Sequence, residues 1–176
     1  MNLSATPSIG VAMSPEDGTE FPVLLRNADA AMYHAKAMGR NNFQFFTQAM
    51  NSRVLERVGI ESRLRRALRA GEFSVHYQPR IDLATDRVGG LEALLRWTDP
   101  DLGPVPAERF IPIAEECGMM IAVGEWVIRE VCRKRVEWQC EFALDVPVSI
   151  NVSAVQFRQR GLEKMVRSAL ETHGID

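Results

Sequence analysis

Gly89-Gly90-Leu91-Glu92-Ala93-Leu94-Leu95-Arg96-Trp97 sets one acid, Glu92, inside an otherwise apolar run. Two local structures compete for it. On a helix, Glu92 and Arg96 form an i,i+4 ion pair in the favourable order, worth roughly 0.2–0.5 kcal/mol. On a strand, Glu92, Leu94 and Arg96 share one face while Leu91, Ala93 and Leu95 share the other. The punctuation favours the strand. Gly89-Gly90 precedes the run, and Asp99-Pro100-Asp101 with Gly103-Pro104 follows it, which leaves too few residues for a stable helix. A carboxylate on a buried strand is costly unless it is paired or holds a metal. Glu92 therefore either pairs with Arg96 at the strand end or serves a cation.

The surroundings bound the class. The chain has 176 residues, of which 46% are hydrophobic and 25% charged, an ordinary globular composition. Its formal net charge of −2 provides no global basic field for nucleic acid. No apolar run approaches membrane-spanning length, and the start, Met1-Asn2-Leu3-Ser4-Ala5, lacks the charged and apolar regions of a signal peptide. Cys117, Cys132 and Cys140 are odd in number and lack Cys-x-x-Cys spacing. They read as reduced thiols of a cytoplasmic protein rather than a disulfide frame or zinc site.

Before the central stretch, Ser8–Ala12 reads as a short strand and Ser14–Gly18 as a turn. Thr19 can cap a helix whose first turn holds Pro22. Leu24, Leu25, Ala28, Ala31, Met32 and Ala35 recur at helical spacing, Gly39 stops the helix, and Phe43-Gln44-Phe45 alternates as a strand. From Thr47 to Ala70, Val54, Leu55, Val58, Leu64 and Leu68 lie among six arginines. That is the pattern of a connecting helix with a solvated basic face.

After Gly71, Phe73, Val75 and Tyr77 alternate as a strand, and Asp82–Asp86 is its turn. Pro106 opens a helix ending near Gly118, and Ile121–Trp138 carries an apolar stripe. Val146, Val148, Ile150 and Val152 alternate as a third strand, and Leu162–Thr172 is a helix closed by Gly174. Strands followed by helices predict an α/β layer with a largely parallel sheet, in which the first two strands, joined by a short turn, can be antiparallel.

Several motifs now occur in order: Tyr77-Gln78-Pro79, Glu92-Ala93-Leu94-Leu95-Arg96-Trp97, Phe110-Ile111-Pro112-Ile113-Ala114-Glu115-Glu116, Gly124-Glu125-Trp126-Val127 and Ser149-Ile150-Asn151-Val152-Ser153-Ala154. Together they resemble the N-terminal portion of EAL domains, the bacterial cyclic di-GMP phosphodiesterases. The earlier Ser8–Ala12, Ala28–Lys36 and Gly39-Arg40-Asn41 resemble the C-terminal end of a GGDEF diguanylate cyclase domain. The resemblance implies a partial GGDEF α/β unit at 1–46, a linker helix at 47–70, and the first part of a TIM-like EAL barrel at 71–176.

It also implies roles. Glu92 and Asn151 match ligands of a catalytic Mg²⁺ or Mn²⁺, and hard oxygen donors suit those ions. Gln78, Leu95 and Arg96 match positions that contact cyclic di-GMP, and Arg96 can grip a phosphate bidentately. Metal-activated water would then open cyclic di-GMP to linear pGpG. A non-catalytic cyclic di-GMP receptor or scaffold is the alternative. A homodimer formed through the EAL segment is compatible with either.

Lys36 and Arg40 match positions near the cyclase nucleotide phosphates. The cyclase signature turn is expected upstream of Met1, so they read as vestigial contacts. The later EAL aspartates, lysine and glutamate are expected beyond Asp176, so the catalytic set is incomplete here and the chain alone is expected to be inactive. Taken singly, each residue also has a plain structural reading: Asn151 as a turn residue, Gln78 as a strand end, Lys36 and Arg40 as a basic helix terminus favouring the helix dipole.

Overall fold

The computed structural model describes residues 6–158 and 161–175, without the side chains of Arg53 and Leu55. Those two side chains, part of the helical pattern read above, lie outside the described residues, as do residues 1–5. The chain divides into two compact units, 1–59 and 60–176.

In the first unit, β1 (Ile9–Val11) and β2 (Phe43–Phe45) pair in parallel, with α1 (Phe21–Ala37) between them in sequence. Gly10 lets β1 lie directly on the helix. A Cβ there would come within 1.9 Å of the Ala28 carbonyl oxygen. Thr19 is not the cap: the N-cap position falls on Glu20, which makes no side-chain cap bond, although Pro22 does sit in the first turn. Ala30, Ala31, Phe46 and Met50 form a small buried cluster.

The helix α2 (Gln48–Ala70) crosses the division between the units, which falls at Gly59. Its first half contributes Met50 to the small cluster. Its second half buries Ile60, Leu64 and Ala67, spaced i, i+4 and i+7, in the core of the second unit.

The second unit is built on a hairpin of β3 (Phe73–Asp82) and β4 (Arg87–Asp99). The Asp82 carboxylate closes its turn by accepting from the N–H groups of Ala84 and Thr85, and Asp86 supplies a left-handed residue at φ 52°. β4 begins before the glycine pair that the sequence offered as its boundary. The register slips between Arg80 and Ile81, leaving Gly89 as the extra residue of a bulge. Gly90 packs closely as well, since a Cβ there would stand 3.0 Å from the Pro147 carbonyl oxygen.

β5 (Gly103–Val105) lies antiparallel to the end of β4, and α3 (Ala107–Glu116) and α4 (Met120–Phe142) follow. β6 (Val148–Ile150) lies parallel to β4, and α5 (Ala154–Arg158) and α6 (Leu162–His173) complete the unit. The sheet is thus mixed rather than largely parallel. The short turn after β3 forces an antiparallel neighbour, and only β6, reached through two helices, returns in parallel. Local sequence pattern marks neither β5 nor α5: β5 is three residues inside what reads as turn chemistry, and α5 is too short to show a period.

One face of the sheet is the core. Phe73, Ala93, Trp97 and Val105 pack on Phe110, Ile113 and Ala114 of α3 and on Met120, Val123, Val127 and Val131 of α4. Trp97 and Phe110 meet edge to face with ring centres 5.5 Å apart, and Phe73 lies 6.1 Å from each. Tyr77, on the same face, stacks edge to face on Trp138 at 4.6 Å, and burial pushes its hydroxyl up to about 12.

Candidate functional site

The other face of the same sheet is polar. Register places Gln78 directly opposite Glu92 on β3 and Ser149 directly beside it on β6. Side chains of laterally paired residues share a face, as do residues two apart along a strand. Gln78, Glu92, Arg96 and Ser149 therefore stand on one side, opposite the core.

Asn151, just past the C-terminal end of β6, reaches back so that its Nδ2 donates to Glu92 Oε1 at 2.8 Å. Glu92 is half-buried and makes no ion pair with Arg96 among the described residues. Arg96 instead donates from Nη1 to the Leu95 carbonyl at 2.9 Å. The strand-end pairing that the sequence left open is not formed, because residues four apart on an extended strand are separated by roughly 13 Å of backbone.

Leu95 faces the other way. It pairs with Val75 and packs against the core. It still meets Arg96 and Asn151 in the lining of a cavity of about 390 Å³. Ile111 of α3, Met120 and Val123 of α4, and Gln156 of α5 line the same cavity. Of the expected residues, then, Glu92, Asn151, Gln78 and Arg96 share one face, and Leu95 joins from behind. Glu92 and Asn151 together offer two hard oxygen donors once the Asn151 amide turns its Oδ1 inward. That suits Mg²⁺, which keeps several waters and takes one or two protein carboxylates. Among the described residues no group of three or more His, Cys, Asp or Glu could hold a metal, so remaining positions would fall to water or to ligands from elsewhere.

The C-terminal end of β4 is locked by a second cluster. Asp99, its side chain fully buried, accepts from Arg63 Nη1 at 2.7 Å and from Arg66 Nη2 at 3.1 Å. It also accepts from the backbone N–H groups of Asp101 and Leu102, each at 2.9 Å. Burial pushes the Asp99 carboxyl up, but the Leu102 and Asp101 N–H groups and Arg63 outweigh it and hold it below the usual carboxylate range. The hydrogen bonds that Arg63 donates to Asp101 and Asp99 in turn raise its own pKa. Glu72 accepts from Arg66 Nε and from Trp97 Nε1. Part of the arginine strip on α2 is therefore a clamp on the strand that carries Glu92. The sequence showed only a charge run and a turn aspartate, and nothing linked them.

Lys36 and Arg40 are exposed at the C-terminal end of α1. Arg40 stands at φ 61°, between Gly39 and Asn41, which are also left-handed.

In this mixed α/β sheet, an amide just past the C-terminal end of β6 thus meets a carboxylate in the middle of the parallel strand β4, on the face away from the core. The chain belongs to the EAL domain family, which it matches over residues 61–176. Residues 1–42 match the diguanylate cyclase GGDEF domain. The bifunctional diguanylate cyclase/cyclic di-GMP phosphodiesterase MucR of Pseudomonas aeruginosa is 41% identical over 169 residues, which are 96% of this chain and 25% of that protein. The cyclic di-GMP phosphodiesterase PdeR of Escherichia coli is 38% identical over 164 residues, 93% of this chain and 24% of that one. The solved PaMucR phosphodiesterase in complex with c-di-GMP superposes with a TM-score of 0.63 at 37% identity. That match covers 66% of this chain and 47% of the solved one. The chain thus spans a quarter of the length of the curated relatives it matches. Among its described residues no helix is long and apolar enough to cross a membrane.

Proposed function

We propose that this chain carries the first part of the active site of a cyclic di-GMP phosphodiesterase, and that the chain by itself neither makes nor hydrolyses cyclic di-GMP at a useful rate. The observation that carries the reading is the 2.8 Å contact between Asn151, just past the end of β6, and Glu92, in the middle of the parallel strand β4. In this reading Glu92 and Asn151 hold a divalent cation, Mg²⁺ or Mn²⁺. Such a cation supplies Lewis-acid stabilisation and an acidified water when bound. Arg96, on the Glu92 face and nearer the end of β4, meets a phosphate of the dinucleotide. Gln78, opposite Glu92, donates an amide to the same ligand, and Leu95 closes the wall behind it. The product is linear pGpG. Lys36 and Arg40 take no part.

The three-part organisation we propose is a cyclase remnant at 1–46, a connecting helix at 47–70 and the early EAL segment at 71–176. The contribution of α2 to both buried clusters supports a connecting role for that helix. The activities of MucR and PdeR and the c-di-GMP complex of PaMucR support the substrate.

Mn²⁺ titration followed by paramagnetic resonance tests the site. We expect one weak site on the full chain, weakened about tenfold or more in Glu92→Gln, at least the loss seen when only an outer partner of a ligand is removed. Equal Mn²⁺ binding by the two proteins would overturn the ligand assignment. Metal-dependent hydrolysis by this chain, abolished in Glu92→Ala, would overturn the claim that it is inactive alone.

A further inference from the structure

Gln156 is 5% exposed, one of three buried polar or charged residues among those described. Its Oε1 accepts from the Ser153 N–H at 3.1 Å, while its own N–H donates to Ser153 Oγ at 3.2 Å. This is a reciprocal capping box, Ser-x-x-Gln, at the start of α5. Ser153 ends the short segment that leaves β6 through Asn151, so the box fixes the path of the chain immediately after Asn151. The far end of Gln156 rests on α4 at Gly124. A Cβ on Gly124 would stand 1.8 Å from Gln156 Nε2 and 2.8 Å from its Cδ. Gly124 has no special backbone angle to serve. Its missing side chain makes room for this amide, and both residues line the cavity that Asn151 and Arg96 also line.

We propose that Gln156, seated against Gly124, is a positioning residue for Asn151: it sets where the Asn151 amide stands relative to Glu92. The proposal rests on the reading of Glu92 and Asn151 as a cation site only for its consequence, not for its geometry. A Cβ at position 124 meets the end of a flexible side chain, so α4 itself need not move. The displacement falls on the Gln156–Ser153 bond and passes to Asn151.

The test uses the 176-residue chain as Gly124→Ala, Gln156→Ala, the double variant and Gln156→Glu, with two readouts. One is the side-chain amide resonance of Asn151 without metal, and the other is Mn²⁺ affinity. We expect Gly124→Ala and Gln156→Ala each to move the Asn151 resonance and to weaken Mn²⁺ binding about tenfold, the scale for losing an outer partner of a metal ligand. Gly124→Ala should add nothing once Gln156 is already alanine. Gln156→Glu, which keeps an oxygen for the Ser153 N–H, should restore the native resonance. Additive effects in the double variant, or an Asn151 resonance that stays put in both single variants, would overturn the proposal. If the native chain binds no Mn²⁺, the cation reading fails while the resonances still decide the positioning. If Gly124→Ala does not fold, the contrast between Gln156→Ala and Gln156→Glu decides it.

Discussion

The two units use the same kinds of element and differ in what the strands do. In the first, β1 and β2 are three residues each, and the buried cluster is four side chains, three of them from α1 or α2. In the second, β4 runs for 13 residues and is flanked by β3 on one edge and by β6 and β5 on the other. One face of β4 anchors the larger core, so the opposite face can hold polar groups in fixed register. Glu92 has neighbours placed by three strands. Lys36 and Arg40, at a helix end beside a two-stranded ribbon, have none placed that way. A long, multiply paired strand makes a site because its pleat fixes several side chains at once.

The largest expected effect separates the two cores. Trp97→Ala should cost about 3–5 kcal/mol in denaturant unfolding of the second unit, because Trp97 is 1% exposed, packs on Phe73 and Phe110 and donates to Glu72. Met50→Ala, in the small cluster, should fall at the low end of roughly 2–5 kcal/mol. Equal losses would break the distinction between a large and a small core.

The next sharpens the account of what holds the end of β4. The folded-state carboxyl of Asp99 lies below its unfolded value, so its contribution is fully present above the unfolded pKa, about 3.9. It is lost as the pH falls through the lower, folded value. Melting temperature should therefore decline on acidification below about pH 4. Asp99→Asn should melt lower at neutral pH and show a shallower acid decline. Parallel acid profiles for the two proteins would remove Asp99 from the explanation.

The smallest expected effect concerns the first unit. Lys36→Ala and Arg40→Ala should each change stability by no more than about 0.5 kcal/mol, as exposed substitutions do. Neither should alter Mn²⁺ affinity. A clear loss of guanine nucleotide binding in either variant would show that the helix end still serves a phosphate, and the contrast between the units would narrow.

Much of this was legible in the sequence. The alternation around Glu92 and around Ile150, the helical stripe of α4 and the stop at Gly174 are local signals, and the ordered motifs named the family. The capping box is legible as well: Ser153-Ala154-Val155-Gln156 has the right spacing, although the strand-like alternation before it runs on through Ser153 and masks the helix start. Chain-local patterns survive in a sequence because the periods of helix and strand are fixed by backbone geometry.

What only the tertiary structure decided are relations between distant residues. A strand's face is written in its alternation, but its register and its neighbours are not. The partnership of Glu92 with Asn151 rather than Arg96 depended on β6 returning parallel to β4 in one particular register. The recruitment of Arg63 and Arg66 by Asp99 depended on α2 crossing the end of that strand. Gly124 acquired its meaning only when Gln156 was found filling the space of its absent side chain. Such contacts join residues that chain-local energetics never compares, so packing of the whole unit had to select them.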